Sequence, residues 1–314
     1  MKKNPIIVAA IAAAFVLGLA GCDSSPTVAS PSVSVGSAAD VAALESIAWE
    51  TDASGVPTLT FAAPLSITAT ASRLVKEGTG AEIKPGDAVA FDYVVSSGTD
   101  SSIVYSTYEA GGTPVALLID EATLEPVIYA AFTGRKVGAQ FIYANLSADP
   151  SGATTDMVPL FMAITIASST TPLERAEGAA VAPADGLPVV TLAADGAPSV
   201  GVPETDPPAD LVSQTLIEGA GAAVAEGQQL VVHYSGWLWD GTGFDSSWEN
   251  GAPAMFVLSS DSLIDGWVQG LAGHTVGSQV LLVIPPSLGY GDTASGAIPA
   301  GSTLIFVIDI LAVL

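Results

Sequence analysis

The chain has 314 residues, with eight Lys and Arg against 32 Asp and Glu, a formal net charge of −24, 49% hydrophobic residues and only 13% charged ones. That length accommodates two ordinary domains, and the abundance of Gly, Pro and β-branched residues disfavours long helices. The scarcity of cations excludes nucleic acid as a partner, because phosphate binding depends on Lys and Arg.

In chain order, the first feature is a targeting segment. Lys2 and Lys3 precede an apolar stretch from Ile6 to Leu19, too short for a comfortable membrane span. It ends in Leu19-Ala20-Gly21-Cys22, which resembles a bacterial lipobox. That resemblance implies cleavage after residue 21 and acylation of the Cys22 thiol; an ordinary signal with an incidental cysteine is the alternative. Cleavage removes two lysines and leaves six cations against 32 carboxylates, a net charge of −26. Cys22 is the sole cysteine, so no intramolecular disulfide forms. An acyl chain tethers a body to the membrane surface without spanning it. Residues 22–50, rich in Ser, Ala, Val, Pro and Gly in their first half, are expected to be the lipidated flexible tether.

An internal repeat follows. Glu77-Gly78-Thr79-Gly80 matches Glu218-Gly219-Ala220-Gly221, Phe91-Asp92-Tyr93 matches Val232-His233-Tyr234, and Val137-Gly138-Ala139-Gln140 matches Val276-Gly277-Ser278-Gln279. A Gly-x-Pro-x-x-Thr run precedes each set, at Gly55–Thr60 and Gly186–Thr191. Alternation predicts strands at Val89–Val95, Leu230–Ser235, Gln279–Ile284 and Thr303–Leu311. Short helices are expected near Glu125–Ala131 and Ile264–Gly270. The resulting division is a signal peptide (1–21), the tether (22–50), a first module (51–170), a linker (171–208) with one edge strand at Pro188–Leu192, and a second module (209–314). All eight cations lie at or before Arg175, so the second module contains none.

Five motifs occur in order within the second module. They are Val231-Val232-His233-Tyr234-Ser235-Gly236, Gly243-Phe244-Asp245-Ser246-Ser247, Leu263-Ile264-Asp265-Gly266-Trp267, Pro285-Pro286-Ser287-Leu288-Gly289-Tyr290-Gly291, and Ala297-Ile298-Pro299 with Leu304-Ile305-Phe306. Together they resemble the FKBP-type peptidyl-prolyl cis/trans isomerases from about Ser213 to Leu314. The resemblance implies a mainly β (α+β) fold of two such modules, each a twisted antiparallel sheet wrapped on a short helix. It also implies a proline-binding cup. Trp267 forms its floor, and Tyr234, Phe244, Phe256, Leu263, Ile264 and Phe306 form its walls. The Ile264 N–H and the Tyr290 hydroxyl meet substrate carbonyls. Asp245 lies beside the twisting amide, and Ile298 closes the rim. No cofactor and no metal are implied, and the spacing of His233 and His274 suggests no metal pair. The implied partners are proline-containing polypeptides, macrolide inhibitors of that family, and a membrane reached through the lipid anchor. The implied role is assistance to the folding of exported proteins at the outer face of the membrane.

The sequence also departs from the family pattern. Asn250 stands where many members pair an arginine with the pocket aspartate, Ala254 replaces a rim aromatic, and Ser295 replaces a loop histidine. Trp248 is a candidate replacement aromatic. In the first module Ile128 stands for Trp267, Val104-Tyr105 for Phe244-Asp245, and the Gly-Tyr-Gly loop is missing. The first module is therefore expected to be inactive. A non-catalytic peptide-binding scaffold is the competing reading of the whole chain. A solute-capture lipoprotein is a weaker one, because alternating βαβ patterns are missing.

Overall fold

The computed structural model describes residues 34–109, 112–149 and 155–314. The signal segment and Cys22 lie outside the described residues. The chain divides into two compact units, Met1–Thr170 and Thr171–Leu314.

The first unit contains β1 (Ser34–Val35), α1 (Ala38–Glu45), β2 (Ala48–Thr51), β3 (Pro57–Thr60), β4 (Ala71–Lys76), β5 (Ala88–Ser97), β6 (Ile103–Ser106), β7 (Val115–Leu118), α2 (Pro126–Phe132), β8 (Gln140–Ala148) and β9 (Met157–Thr170). The second contains β10 (Ala179–Ala180), β11 (Val189–Leu192), β12 (Pro198–Gly201), β13 (Val212–Glu218), β14 (Gln229–Leu238), β15 (Gly243–Ser246), β16 (Ala254–Val257), α3 (Asp265–Leu271), β17 (Gln279–Ile284) and β18 (Leu304–Val313).

Each unit is built on one antiparallel seven-stranded sheet. The orders are β1-β4-β8-β9-β5-β6 with β7 on β5, and β10-β13-β17-β18-β14-β15 with β16 on β14. The two orders are the same element for element. The correspondence extends to single hydrogen bonds. The Tyr93 N–H donates to Thr107 Oγ1 at 3.0 Å, and the Tyr234 N–H donates to Ser247 Oγ at 2.8 Å. The Lys84 N–H donates to Asp87 Oδ2 at 2.8 Å, as the Ala225 N–H does to Gln228 Oε1 at 2.7 Å. Gly78 and Gly219 sit where a Cβ would meet backbone at 2.3 Å and 2.4 Å respectively, so only glycine fits either turn.

The strands expected from alternation are present, but their burial does not alternate: β17 is buried at every residue and β18 at all but its last, because both faces of the sheet are covered. Leu281, Ile305 and Val307 face away from the helix and pack under Val190, Val200, Trp237 and Trp239. The opposite face, with Val232, Val280, Leu282, Ile284 and Ile308, packs against α3. The helix lies unusually close to the sheet. A Cβ at Gly266 would meet Ile284 Cγ2 at 2.4 Å, and one at Gly270 would meet Leu282 Cδ2 at 2.6 Å. These two glycines bring Trp267, between them, down onto the sheet.

The expected strands and both short helices are present, each displaced by a few residues at most. Two segments differ from expectation. Residues 38–50, read as tether, form α1 and most of β2. Ser37 caps α1 by accepting from the Asp40 N–H, and Leu44 is fully buried. Residues 171–208, read as linker, belong to the second unit. The Ala176 N–H donates to the buried Asp309 carboxylate at 2.8 Å, and β10 pairs with β13. The Pro188–Leu192 strand pairs with β12 in a separate two-stranded sheet, so it is no edge of the main one.

Candidate functional site

One face of the second sheet, with α3 and the loop before it, encloses a cavity of about 440 Å³. Its lining contains Tyr234, Phe244, Asp245, Phe256, Leu263, Ile264, Trp267, Tyr290 and Phe306, together with Ser260, Asp261 and Ser262. The residues come from β14, β15, β16, the turn into α3, α3 itself, the loop after β17, and β18.

Trp267 is the floor, at 4% exposure. Three rings meet it edge-on: Phe306 at 5.2 Å and 84°, Phe256 at 5.5 Å and 76°, and Tyr234 at 5.6 Å and 81°. Phe244 in turn stands edge-on to Phe306 at 5.5 Å. Edge-to-face pairs add about 0.5–1.5 kcal/mol each beyond their buried area, so the floor is held from three sides and its orientation is fixed. Gly236 makes this packing possible. A Cβ there would meet Phe244 Cε2 and Cζ at 2.6 Å and Phe306 Cε1 at 2.9 Å.

Polar groups are few. The Tyr234 hydroxyl donates a short hydrogen bond to Asp245 Oδ2. Burial pushes the Tyr234 phenol well above its ordinary value, and the hydrogen bond to Asp245 and that carboxylate's charge push it the same way. Tyr234 is therefore a protonated donor across the physiological range. The Ile264 N–H, at the entrance to α3, has no acceptor among the described residues. Tyr290, 41% exposed, extends from the loop behind the Pro286–Leu288 3-10 turn. That loop is pinned by the Gly291 N–H donating to Pro286 O at 2.9 Å.

Nine of the ten cup residues expected from the sequence line this one cavity. Ile298 does not. It is 7% exposed and packs in the same apolar cluster as Trp267, Tyr234 and Phe306, and its backbone pairs with Ser295 at 2.9 Å in both directions. Trp248 is also elsewhere. It stacks on His233 at 4.0 Å and 19° and lines a neighbouring cavity. Burial lowers the His233 pKa, and its Nδ1 lies 2.9 Å from Ser247 Oγ. Cys22 lies outside the described residues. Sequence reasoning missed Ser260, Asp261 and Ser262; their one signal is a polar run immediately before Leu263-Ile264.

The same station in the first unit is closed. Its counterpart cavity is about 10 Å³, lined by Phe91, Tyr93, Ile128, Phe132, Tyr143, Met162 and Ile164. Strand register places Val95 where Gly236 stands, Tyr105 for Asp245 and Met162 for Phe306. The Tyr105 ring packs 5.3 Å from Tyr93. Bulk at Val95 and loss of the indole leave no bowl.

Comparison with known proteins points to the same region. Residues 221–311 match the family described as FKBP-type peptidyl-prolyl cis-trans isomerase. The FK506-binding protein of Streptomyces anulatus is 44% identical over 119 residues, 37% of this chain and 96% of that protein. The probable FK506-binding protein of Corynebacterium glutamicum is 40% identical over 115 residues, 36% of this chain and 96% of the relative. Among solved structures, FkpA from Escherichia coli is 35% identical, covering 41% of this chain and 52% of that one, with a TM-score of 0.32. The chain therefore belongs to the FKBP-type peptidyl-prolyl cis-trans isomerase family, and its second unit carries the isomerase domain.

Proposed function

We propose that the second unit uses the Trp267 cup to speed rotation about prolyl bonds of exported polypeptides, held at the outer face of the membrane by acylated Cys22. The observation that carries this reading is the cup itself: five aromatic rings around an open cavity of about 440 Å³, with one backbone donor unpaired among the described residues and a further ring, Tyr290, at the mouth.

Rotation about an X–Pro bond is slow because it breaks amide resonance, at a barrier of about 18–20 kcal/mol. No bond is made and no proton need move. A catalyst succeeds by binding the twisted amide more tightly than the planar one. The twisted amide has less charge separation, so an apolar, water-poor cup favours it over the planar form. In this reading the proline ring rests on Trp267 between Phe306 and Phe256. The Ile264 N–H and the Tyr290 hydroxyl hold the flanking carbonyls, so that one side of the imide is fixed while the other turns. Asp245, oriented by Tyr234, faces the rotating amide. It has no arginine partner in this chain, since Asn250 occupies that place, and the tyrosine hydroxyl is what orients it. The relatives' names describe FK506 binding, and we extend that to this cup: a macrolide of that type competes with peptide for Trp267.

The first unit, with its cavity filled, is a diverged copy without isomerase activity. Among the described residues no helix is long and apolar enough to cross a membrane, so in this reading attachment rests on the acyl group. Two experiments test the reading. Macrolide should compete with a proline peptide on the full chain. Expression in a lipoprotein-processing bacterium should yield a membrane-bound protein that Cys22→Ser releases. Wild-type protein found soluble, or peptide turnover indifferent to saturating macrolide, would overturn the corresponding part.

A further inference from the structure

A second cavity, of about 520 Å³, adjoins the cup and shares Phe244 and Asp245 with it. One side is the β14–β15 ribbon, including Trp237. The other is the start of β12, at Pro198 and Ser199. The β11–β12 hairpin lies outside residues 221–311, so this wall is an addition to the matched isomerase region. Its mouth carries two exposed carboxylates, Asp245 and Glu249, beside the indole of Trp248. No Lys or Arg lines it, and residues 171–314 contain one arginine against sixteen carboxylates.

We propose that this cavity is a subsite for a lysine or arginine side chain of the same client segment whose proline occupies the cup; this rests on the isomerase reading above. Continuity fixes the occupant. Any extended peptide leaving the cup over Phe244 and Asp245 passes the second cavity within about three residues, at roughly 3.5 Å of chain per residue. Chemistry fixes the side chain. A guanidinium or ammonium finds the carboxylates of Asp245 and Glu249 and the indole of Trp237, which attracts cations through its ring quadrupole, while Trp248 is stacked on His233. An acidic side chain finds only repulsion. The cup reads proline, and the hairpin-walled cavity reads the charge beside it.

The test is a peptide series in which Ala, Arg or Glu is placed one to four residues to either side of a single proline. Turnover is measured as kcat/KM with the full chain. The Arg peptide should exceed the Ala peptide by about five- to tenfold at one or two positions, and the Glu peptide should fall below it. Glu249→Gln should bring the Arg-to-Ala ratio towards one. Glu226→Gln removes the same charge from a turn that lines neither cavity, and should leave the ratio as in wild type. A ratio near one at every position overturns the subsite while leaving the isomerase reading intact. A ratio equally reduced by Glu249→Gln and Glu226→Gln shows general attraction and also overturns it. Absence of turnover for every peptide overturns the isomerase reading and the subsite with it.

Discussion

The packing around Gly236 yields the sharpest consequence. A Cβ at that position would lie 2.6 Å from two Phe244 ring carbons and 2.9 Å from Phe306, whereas unstrained carbon contacts fall at about 3.5–4.0 Å. The Phe244 ring must then retreat by roughly 1 Å to reach an unstrained contact, and valine adds two further methyls. Overpacking of this kind costs about 1–3 kcal/mol. Replacing glycine by a β-branched residue in a strand returns about 0.4–1 kcal/mol through the unfolded chain. Gly236→Val should therefore destabilise the second unit by about 1–2 kcal/mol, yet leave it folded. Val95 at the matching station of the first unit, 1% exposed, shows that the sheet accepts valine when the bowl is filled. Activity should suffer more than stability. Displacing two of the cup's aromatic walls should lower kcat/KM at least tenfold, which requires only about 1.4 kcal/mol of lost transition-state binding. Urea unfolding and a proline-peptide isomerisation assay on the same preparation separate the two effects. Gly201→Ala is the control, since its Cβ would meet only Val189 O at 3.9 Å. Wild-type kcat/KM in folded Gly236→Val would refute the reasoning, because the cup cannot both admit that side chain and keep its shape.

Three further outcomes follow from the same geometry. Ser247→Ala removes a hydroxyl, 2% exposed as a residue, that accepts from the Tyr234 N–H and pairs with His233; unfolding should show a loss of about 1–3 kcal/mol. Gly266→Ala sets a Cβ 2.4 Å from Ile284, lifts α3 and Trp267 off the sheet, and should lower both the melting temperature and macrolide affinity. Burial depresses the pKa of both His233 and His274 below the ordinary 6.5. The unfolded chain thus binds protons more readily than the folded one in that range. The stability this contributes is fully present above about pH 6.5 and is lost as the pH falls through the lower folded values. Burial raises the Asp309 pKa, which acts in the opposite direction, so the histidine contribution is read as a difference: from pH 7.5 down to 5 the urea midpoint of the wild type should fall relative to that of a variant carrying His274→Gln.

Much of the candidate site could be read in the sequence because five motifs of the second module resemble, in order, those of the FKBP-type isomerases. The copies keep the same glycines at close approaches, at Gly78 and Gly219 or Gly80 and Gly221, and those positions set the offset of the repeat before any strand is assigned. Aromatic residues in the second copy without aromatic counterparts in the first, Trp267 against Ile128 above all, mark where the two copies differ around the cavity. What stayed hidden depends on three-dimensional direction. Ile298 packs in the apolar cluster and pairs its backbone with Ser295, which composition cannot foretell. Trp248 follows Asp245 closely in sequence, but its ring turns onto His233. Residues 171–208 are rich in Pro, Ala and Gly, like a linker. Their order comes from distant partners, such as the Asp309 carboxylate that receives the Ala176 N–H. Long-range satisfaction of a buried acid leaves no local trace.

The most direct test is an exchange measurement by nuclear magnetic resonance on a peptide with one proline, using the full chain and its Trp267→Leu, Tyr290→Phe double variant. Leucine keeps most of the floor's apolar bulk, so folding can be verified by the melting transition. The account predicts cis-to-trans exchange far above the solvent rate for the wild type, and a fall of at least tenfold for the folded double variant. Equal exchange rates in the two proteins would contradict it.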